Sequence, residues 1–85
     1  MGGVRRLDVV AIGNERVGIE SKVGRTSLRQ AIRQELARDW WLLRTKKVDR
    51  IIWEFSRSPT TGEIGPNAPL LRKLRSLGFE IRINE

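Results

Sequence analysis

Residues 7–23 of the chain read LDVVAIGNERVGIESKV, two apolar segments joined by a Gly-Asn turn signal. Both segments are rich in valine and isoleucine, which favour strands, so the stretch predicts an antiparallel hairpin. Asp8 stands at the start of the first predicted strand. Glu20 and Lys22 lie two positions apart on the second, and they share a face because successive strand side chains alternate. The hairpin therefore presents acidic and basic side chains close together.

The length of the turn decides whether Asp8 joins the other two charged residues. A three-residue loop pairs Asp8 with Glu20 and places both carboxylates beside Lys22 on one face. A loop of two residues breaks this cluster, since a slip of one position turns every side chain to the other face. Val10 and Ile12 share the acidic face in the three-residue register, so the apolar pattern leaves the choice open and predicts that both faces need cover.

The rest of the sequence alternates between helical and strand patterns. A capping box with Ser27 as N-cap precedes apolar residues spaced by three and four, which predicts a helix. Its apolar positions are Leu28, Ile32, Leu36, Trp40 and Leu43. Residues 48–55 predict a strand, Asn67 caps a second predicted helix, and residues 79–83 predict a last strand. The order β-β-α-β-α-β predicts one small α/β domain over residues 1–85, a mixed sheet with helices packed on it.

The composition narrows the chemistry that this chain of 85 residues can perform. It has no cysteine and no histidine, which excludes disulfides, thiolate metal sites, His-ligated zinc and the Ser-His-Asp triad. Lys and Arg outnumber Asp and Glu by 17 to 10, a net charge of +7 that suits a polyanion such as nucleic acid. No apolar run has membrane-spanning length and no signal-peptide core is present, so we expect a soluble chain without a membrane partner.

Asp8 and Glu20 are candidate ligands of a metal ion, Mg²⁺ or Mn²⁺, because such cations prefer carboxylate oxygens and share them with substrate phosphate. The backbone carbonyl of Ser21 can add a ligand. A metal held there polarises a phosphodiester and lowers the pKa of a bound water, while Lys22 lies beside that water or stabilises charge in the transition state. The same residues also fit an ordinary solvated strand face with a cross-strand charge pair, and both interpretations stay open.

Five segments carry a resemblance to a known family: LDVV at the first strand, IESKVG at the second, D-WW-LL in the helix, IIWEF in the next strand and TGEIGPNAPLL after it. With these segments in this order, the chain resembles the PD-(D/E)XK, or restriction-endonuclease-like, nuclease superfamily. It is more narrowly similar to the restriction-endonuclease-fold toxin domains at the C-termini of bacterial polymorphic toxins. The resemblance spans Arg5 to Asn84 and implies a restriction-endonuclease-like core.

This resemblance implies roles for individual residues. Asp8 and Glu20 match the family's metal ligands, Lys22 matches its catalytic lysine, and Gln30 or Gln34 matches a polar residue that a helix places near the site. The implied activity is that of a Mg²⁺-dependent endonuclease, which hydrolyses phosphodiester bonds of DNA or of RNA. As a toxin effector it would act in the cytoplasm of a rival cell after delivery within a larger protein, and an acidic immunity protein would neutralise it.

Two departures from the family pattern have consequences. Leu7 replaces the proline of the motif, a change that the superfamily tolerates. Six residues precede Leu7, which leaves the family's N-terminal helix without a counterpart in this sequence. We therefore expect a C-terminal piece of a larger protein, weakly active alone, whose uncovered sheet drives formation of a homodimer. Trp41 is adjacent to Trp40 of the apolar stripe and cannot face the same core. It is expected to be buried by the missing N-terminal part, buried by a second subunit, or exposed for stacking on a base, and we favour the interface between subunits.

Arg25, Arg29 and Arg33 recur every four residues and predict a row of guanidiniums along the first helix, next to Gln30 and Gln34. Such a row can follow the phosphates of a nucleic acid, with DNA favoured over RNA. It also fits a plain solvated face. The alternative function is consequently a non-catalytic nucleic-acid-binding or assembly module that keeps the nuclease fold.

Overall fold

A computed structural model describes residues 7–85 of the chain and shows a mixed α+β fold. Along the chain the elements are β1 (Asp8–Ile12), β2 (Glu15–Val23), β3 (Arg25–Thr26), α1 (Gln30–Arg44), β4 (Arg50–Ser56), β5 (Gly65–Pro66), α2 (Ala68–Ser76) and β6 (Glu80–Asn84). The predicted order β-β-α-β-α-β is confirmed, and the two short strands β3 and β5 are added to it. These two pair with each other in a small separate sheet.

The main sheet has the strand order β1-β2-β4-β6 and combines both kinds of pairing. β1 runs antiparallel to β2, whereas β2 with β4 and β4 with β6 are parallel. Parallel neighbours need a crossover connection, and the segments containing α1 and α2 supply one each. The mixed sheet expected from the sequence is therefore confirmed, with β4 placed between two parallel partners.

Both helices pack on the same face of the main sheet. Side chains alternate along β4, and Ile51, Trp53 and Phe55 all point to this face, where they are almost completely buried. They form the core with Ile32, Leu36, Val48, Leu70, Leu74 and Phe79. The opposite face carries the exposed side chains of Val10 and Ile12. Any site that combines strand and helix residues therefore lies on the core side of the sheet.

The hairpin closes with a two-residue loop, Gly13-Asn14, so the three-residue register on which the Asp8–Glu20 cluster depended is wrong. Gly13 has a φ of 62°, the left-handed conformation that a two-residue hairpin loop needs at its first position. Such loops follow the right-handed twist of the strands, which favours them over longer ones. Asp8 consequently pairs with Ile19, and its side chain lies on the face of the sheet opposite Glu20.

The first helix begins later than predicted, and the second begins as predicted. Ser27 does not cap α1; the helix starts at Gln30, after an extended Arg29 that supplies no side-chain cap. The Ser27 carbonyl instead accepts the N–H of Arg29 at 3.0 Å, in a tight turn that delays the helix. In α2 the predicted cap is confirmed, because Asn67 Oδ1 accepts the N–H of Leu70 at 3.1 Å. Within the described residues, neither helix is long and apolar enough to cross a membrane.

The face of α1 that is buried also differs from the predicted apolar stripe, because the helix is rotated about its axis. Trp40, predicted to be buried in that stripe, is 39 % exposed. Glu35 and Asp39 are buried instead, beside Ile32 and Leu36. Charged and polar partners on the sheet meet these two carboxylates, which offsets the free energy cost of taking them out of water.

Candidate active site

Glu20 is the buried acidic residue at the centre of the candidate site. It lies on β2, a strand with neighbours on both sides, and pairs across the sheet with Trp53. Because side chains alternate along the strand, Glu20 points toward α1, and it is only 2 % exposed. A carboxylate in this position needs polar partners, since an isolated buried charge is costly.

Lys22 supplies one of these partners. It shares a face with Glu20, as the alternation predicted, and pairs across the sheet with Phe55. Its Nζ lies 3.4 Å from Glu20 Oε2 and 2.6 Å from Glu35 Oε1, so one ammonium joins a strand carboxylate to a helix carboxylate. The same Nζ lies 5.6 Å from the centroid of the Trp53 ring, within the range of a cation–π contact. The Lys22 side chain is 16 % exposed, against 2 % for Glu20 and 8 % for Glu35.

Arg38 is the second cation at the site. Its Nη2 donates to Glu20 Oε1 at 3.2 Å and to Asp39 Oδ1 at 2.8 Å. Asp39, which is fully buried, also accepts a hydrogen bond from Trp53 Nε1 at 3.0 Å. Burial raises the pKa of Asp39 above its ordinary value, and the hydrogen bonds from Arg38 and Trp53 offset part of that rise.

Glu20, Lys22, Glu35, Arg38 and Asp39 together form what we call the charged cluster, with three acidic and two basic side chains. It fills the seam between β2 and α1, beside the apolar core. Oxygens of Glu20 and Glu35 converge on one ammonium, so two carboxylates approach the same point. Such an arrangement can hold a cation, orient a water molecule or present the lysine to a phosphate oxygen.

Two residues predicted for the site have side chains on the opposite face of the sheet. Asp8 is exposed there beside Ile19. The Ser21 hydroxyl donates to Glu54 Oε2 at 2.9 Å on that same face. The metal-ligand roles of Asp8 and of the Ser21 carbonyl stay predictions, and the register brings neither side chain to the charged cluster.

The prediction that three arginines form a row along the first helix is wrong, because α1 begins only at Gln30. Arg33 lies within the helix, Arg29 immediately precedes it, and Arg25 belongs to β3. These three arginines, together with Gln30 and Gln34, are exposed. The role of these five side chains in binding nucleic acid stays a prediction, now with a less regular arrangement.

Sequence reasoning missed Glu35, Arg38 and Asp39. One signal was present in the sequence, since Glu35 and Asp39 are one helical turn apart and lie on the same side of Leu36, a core residue, around the helix. Acidic residues that repeat with the period of an apolar stripe indicate buried carboxylates, and buried carboxylates require cations nearby. Arg38 and Lys22 are those cations.

Whether the charged cluster can hold a metal ion depends on Glu20 and Glu35, the two carboxylates that contact Lys22. Residues 7–85 contain no group of three or more acidic, cysteine or histidine side chains gathered to hold a metal. One or two carboxylates are enough for Mg²⁺, which takes its other ligands from water and from substrate phosphate. The donors of Glu20 and Glu35 therefore fit a two-carboxylate site. In comparisons with protein families, curated proteins and solved structures, nothing matches the chain.

Proposed function

We propose that the chain is a metal-dependent nuclease of the restriction-endonuclease type, with Glu20, Lys22 and Glu35 at its catalytic centre. The observation that supports this most directly is the Lys22 ammonium, which lies within 3.4 Å of two nearly buried carboxylates from different elements. The E-x-K spacing on β2 agrees with the resemblance to the PD-(D/E)XK superfamily. A role as a bacterial toxin effector rests on that resemblance alone.

Stabilisation of the fold is a weak explanation for the presence of the charged cluster. Burying an ion costs on the order of several kcal/mol, and replacing a buried ion pair with apolar residues of similar volume is often neutral or stabilising. Buried acidic and basic groups beside a solvent-reaching side chain are typical of functional sites. Lys22 and Arg38 are such side chains, since they are 16 % and 34 % exposed while the Glu20 and Glu35 side chains are 2 % and 8 % exposed.

Some residues of the charged cluster would act on the substrate, and the others hold those residues in position. A divalent cation held by Glu20 and Glu35 would polarise the scissile phosphodiester and activate a water molecule. Lys22 contributes positive charge where the phosphate gains negative charge in the transition state, and two carboxylates already orient its ammonium. Arg38 fixes one oxygen of Glu20, and Asp39 holds Arg38 in turn.

The proposed substrate is DNA, with RNA as the other polyanion that the charge admits. A net charge of +7 attracts either of them and raises the rate of encounter. The same charge suits an acidic immunity protein as a partner. A homodimer, also expected from the sequence, would pack through the exposed side chains of Val10 and Ile12 on the open face of the sheet. Trp41 is exposed on α1, which packs on the other face, so it lies outside that surface.

The test is cleavage of supercoiled plasmid and of total tRNA by the purified chain, in Mg²⁺ and in EDTA. Lys22→Met removes the ammonium and keeps the apolar stem, and Lys47→Met is the matched control because Lys47 is exposed and outside the cluster. Cutting that requires the metal, disappears in Lys22→Met and persists in Lys47→Met supports the proposal. Cutting by wild type and Lys22→Met at equal rates contradicts it.

Two observations favour a second candidate, the non-catalytic nucleic-acid-binding module. Lys22 and Arg38 already neutralise much of the charge on the cluster's carboxylates, and Asp8 lies on the other face of the sheet. If the cluster only stabilises the fold, wild type will bind plasmid or tRNA without cutting either. Lys22→Met will then bind as wild type does, to within about one phosphate contact.

A further inference from the structure

A groove between α1 and α2 lies outside the charged cluster. It has a volume of about 320 Å³ and is lined by Arg33, Leu36, Ala37, Trp40, Lys73 and Leu77. The α1 residues of this lining are spaced by three and four, so they form one face of the helix. Glu35 and Asp39 occupy a different face, the one turned toward β2 and β4. The groove and the charged cluster are therefore separate sites on the same helix.

The lining of this groove combines an apolar floor, an aromatic side chain and two cations. Leu36 and Ala37 are apolar, and no acidic residue contributes to the lining. Neither Arg33 nor Lys73 forms an ion pair with another residue in the described part of the chain. A ligand that fits must offer an apolar surface together with negative charge.

Trp40 is the residue that narrows the choice of ligand. It is 39 % exposed, and the Arg44 guanidinium lies 5.3 Å from the centroid of its ring. An indole that is accessible and already accompanied by a cation is suited to stacking on a flat aromatic ligand near a polyanion. Nucleobases supply that flat surface, and every base has it, whereas the side chains of an acidic peptide supply only carboxylates.

We propose that this groove binds an unstacked base of single-stranded nucleic acid, with Trp40 against the base and Arg33 and Lys73 against neighbouring phosphates. The volume is at the lower end of the range for small-molecule pockets, which suits one base rather than a duplex. This inference deepens the proposed function, because it names the form in which the substrate is bound. Binding can nevertheless be measured without cleavage, so the two proposals can fail separately.

The test is fluorescence anisotropy of a labelled oligothymidylate titrated with the protein in EDTA, where metal-dependent cutting cannot occur. Trp40→Ala should weaken binding by roughly tenfold, as expected for the loss of one base–aromatic stack, while Trp40→Phe should keep most of the affinity. Trp41→Ala is the matched control, since Trp41 is 50 % exposed, has Lys47 at 5.8 Å from its ring and does not line the groove. It should bind as wild type does.

The two cations have their own test in the salt dependence of binding. Arg33→Ala and Lys73→Ala should each lower the slope of log affinity against log salt by about 0.7, the value for one phosphate contact on a single strand. Arg72→Ala, an exposed change on the same helix as Lys73, should leave the slope unchanged. Equal slopes for wild type and all three variants would contradict the phosphate contacts.

The results of these tests either overturn this proposal or uphold it independently of the nuclease. Trp40→Ala and Trp41→Ala could bind equally well while circular dichroism shows both to be folded. An oligoglutamate peptide could compete for wild type as well as the oligonucleotide does, which would assign the groove to an acidic protein. Loss of binding in Trp40→Ala, combined with no cleavage of plasmid or tRNA by wild type, would keep the groove and reject the nuclease. Cleavage that is lost in Lys22→Met, combined with normal binding by Trp40→Ala, would support the nuclease and reject the proposed role of the groove.

Discussion

Trp53 donates its indole N–H to Asp39 Oδ2 over 3.0 Å, and both side chains are completely buried. The contact joins β4, the strand with two parallel neighbours, to α1. It also connects the apolar core to the charged cluster, because Asp39 accepts from Arg38 as well. The integrity of the cluster should therefore depend on a residue that does not touch the substrate.

The first prediction concerns this hydrogen bond. Asp39→Ala leaves the Trp53 N–H buried without an acceptor, and should lower the free energy of unfolding by about 1–3 kcal/mol. Asp39→Asn keeps an oxygen acceptor for Trp53 and should cost less. Urea unfolding followed by circular dichroism measures both. Equal losses for the two variants would show that the charge of Asp39, and not its acceptor, is what matters.

The pH dependence of stability gives a second prediction. Burial raises the pKa of Asp39 above the ordinary 3.8, so the folded state favours the protonated form. The contribution of this group to stability is full below the unfolded pKa and is lost as pH rises through the raised folded pKa. The free energy of unfolding of Asp39→Asn, relative to that of wild type, should therefore rise with pH across that window.

The second prediction should be tested on the difference between the unfolding free energies of Asp39→Asn and wild type, because Glu80 also makes stability depend on pH. Its hydrogen bonds with Arg50 lower the pKa of Glu80, so its contribution is present above the unfolded pKa and lost as pH falls. The two groups have opposite pH dependences, but Glu80 is present in both wild type and Asp39→Asn, whereas the Asp39 carboxyl is present in wild type alone. Subtracting the unfolding free energies of the two proteins at each pH removes the Glu80 contribution. A flat difference would contradict a raised pKa at Asp39.

The third prediction separates stability from activity at Lys22. Lys22→Met leaves Glu20 and Glu35 without the ammonium that joins them, and should destabilise the fold by about 3 kcal/mol. Adding Glu35→Leu removes the carboxylate that lay nearest to the lost ammonium, so the double variant should regain part of this loss. Nuclease activity should be absent from both. If cleavage returns together with stability in the double variant, neither residue acts in the chemistry.

A fourth prediction follows from the faces of the sheet. Glu20→Gln should abolish metal-dependent cleavage, because Glu20 lies in the charged cluster. Asp8→Asn should leave it nearly unchanged, because Asp8 lies beside Ile19 on the other face. The test is the cleavage rate of each variant in Mg²⁺, measured under conditions in which both variants are folded. Loss of activity in Asp8→Asn would restore the role that the resemblance implied for this residue.

The register itself supplies the fifth prediction. The chain has no cysteine, so an introduced pair has no competitor. Ala11 and Arg16 are direct partners across the hairpin, and Ala11→Cys with Arg16→Cys should form a disulfide on mild oxidation. Ile12→Cys with Arg16→Cys, direct partners in the three-residue register, should not, because these side chains point to opposite faces. Mass spectrometry of the oxidised variants distinguishes the registers.

The parts of the structure that the sequence predicted well depend on local pattern. Strict alternation places Glu20 beside Lys22, and the same alternation places Trp53 with its apolar neighbours on the core face. Asn67 caps α2 because its side chain needs only the nearby Leu70 N–H. These features are decided within a few residues, so one sequence is enough to find them.

The features that the sequence did not predict depend on tertiary packing. The loop length at Gly13 follows from the twist of two strands, which the apolar pattern does not record. Burial of Glu35 and Asp39 depends on how α1 is rotated over the sheet, and that rotation is set by partners such as Lys22 and Trp53. The wrong register removed Asp8 from the candidate site, and the unforeseen rotation added two acidic residues.

The central position of β4 has a consequence for how the protein folds. The β1–β2 hairpin is local and can form within microseconds, whereas Ser21 and Glu54, which meet on neighbouring parallel strands, are 33 positions apart. Contacts between distant positions are slow to form because the intervening chain must first be ordered. The charged cluster spans that same gap, since it joins β2 to α1 and, through Trp53, to β4. We therefore expect the candidate site to be completed only when β4 docks and Trp53 reaches Asp39, in the same step that forms these distant contacts.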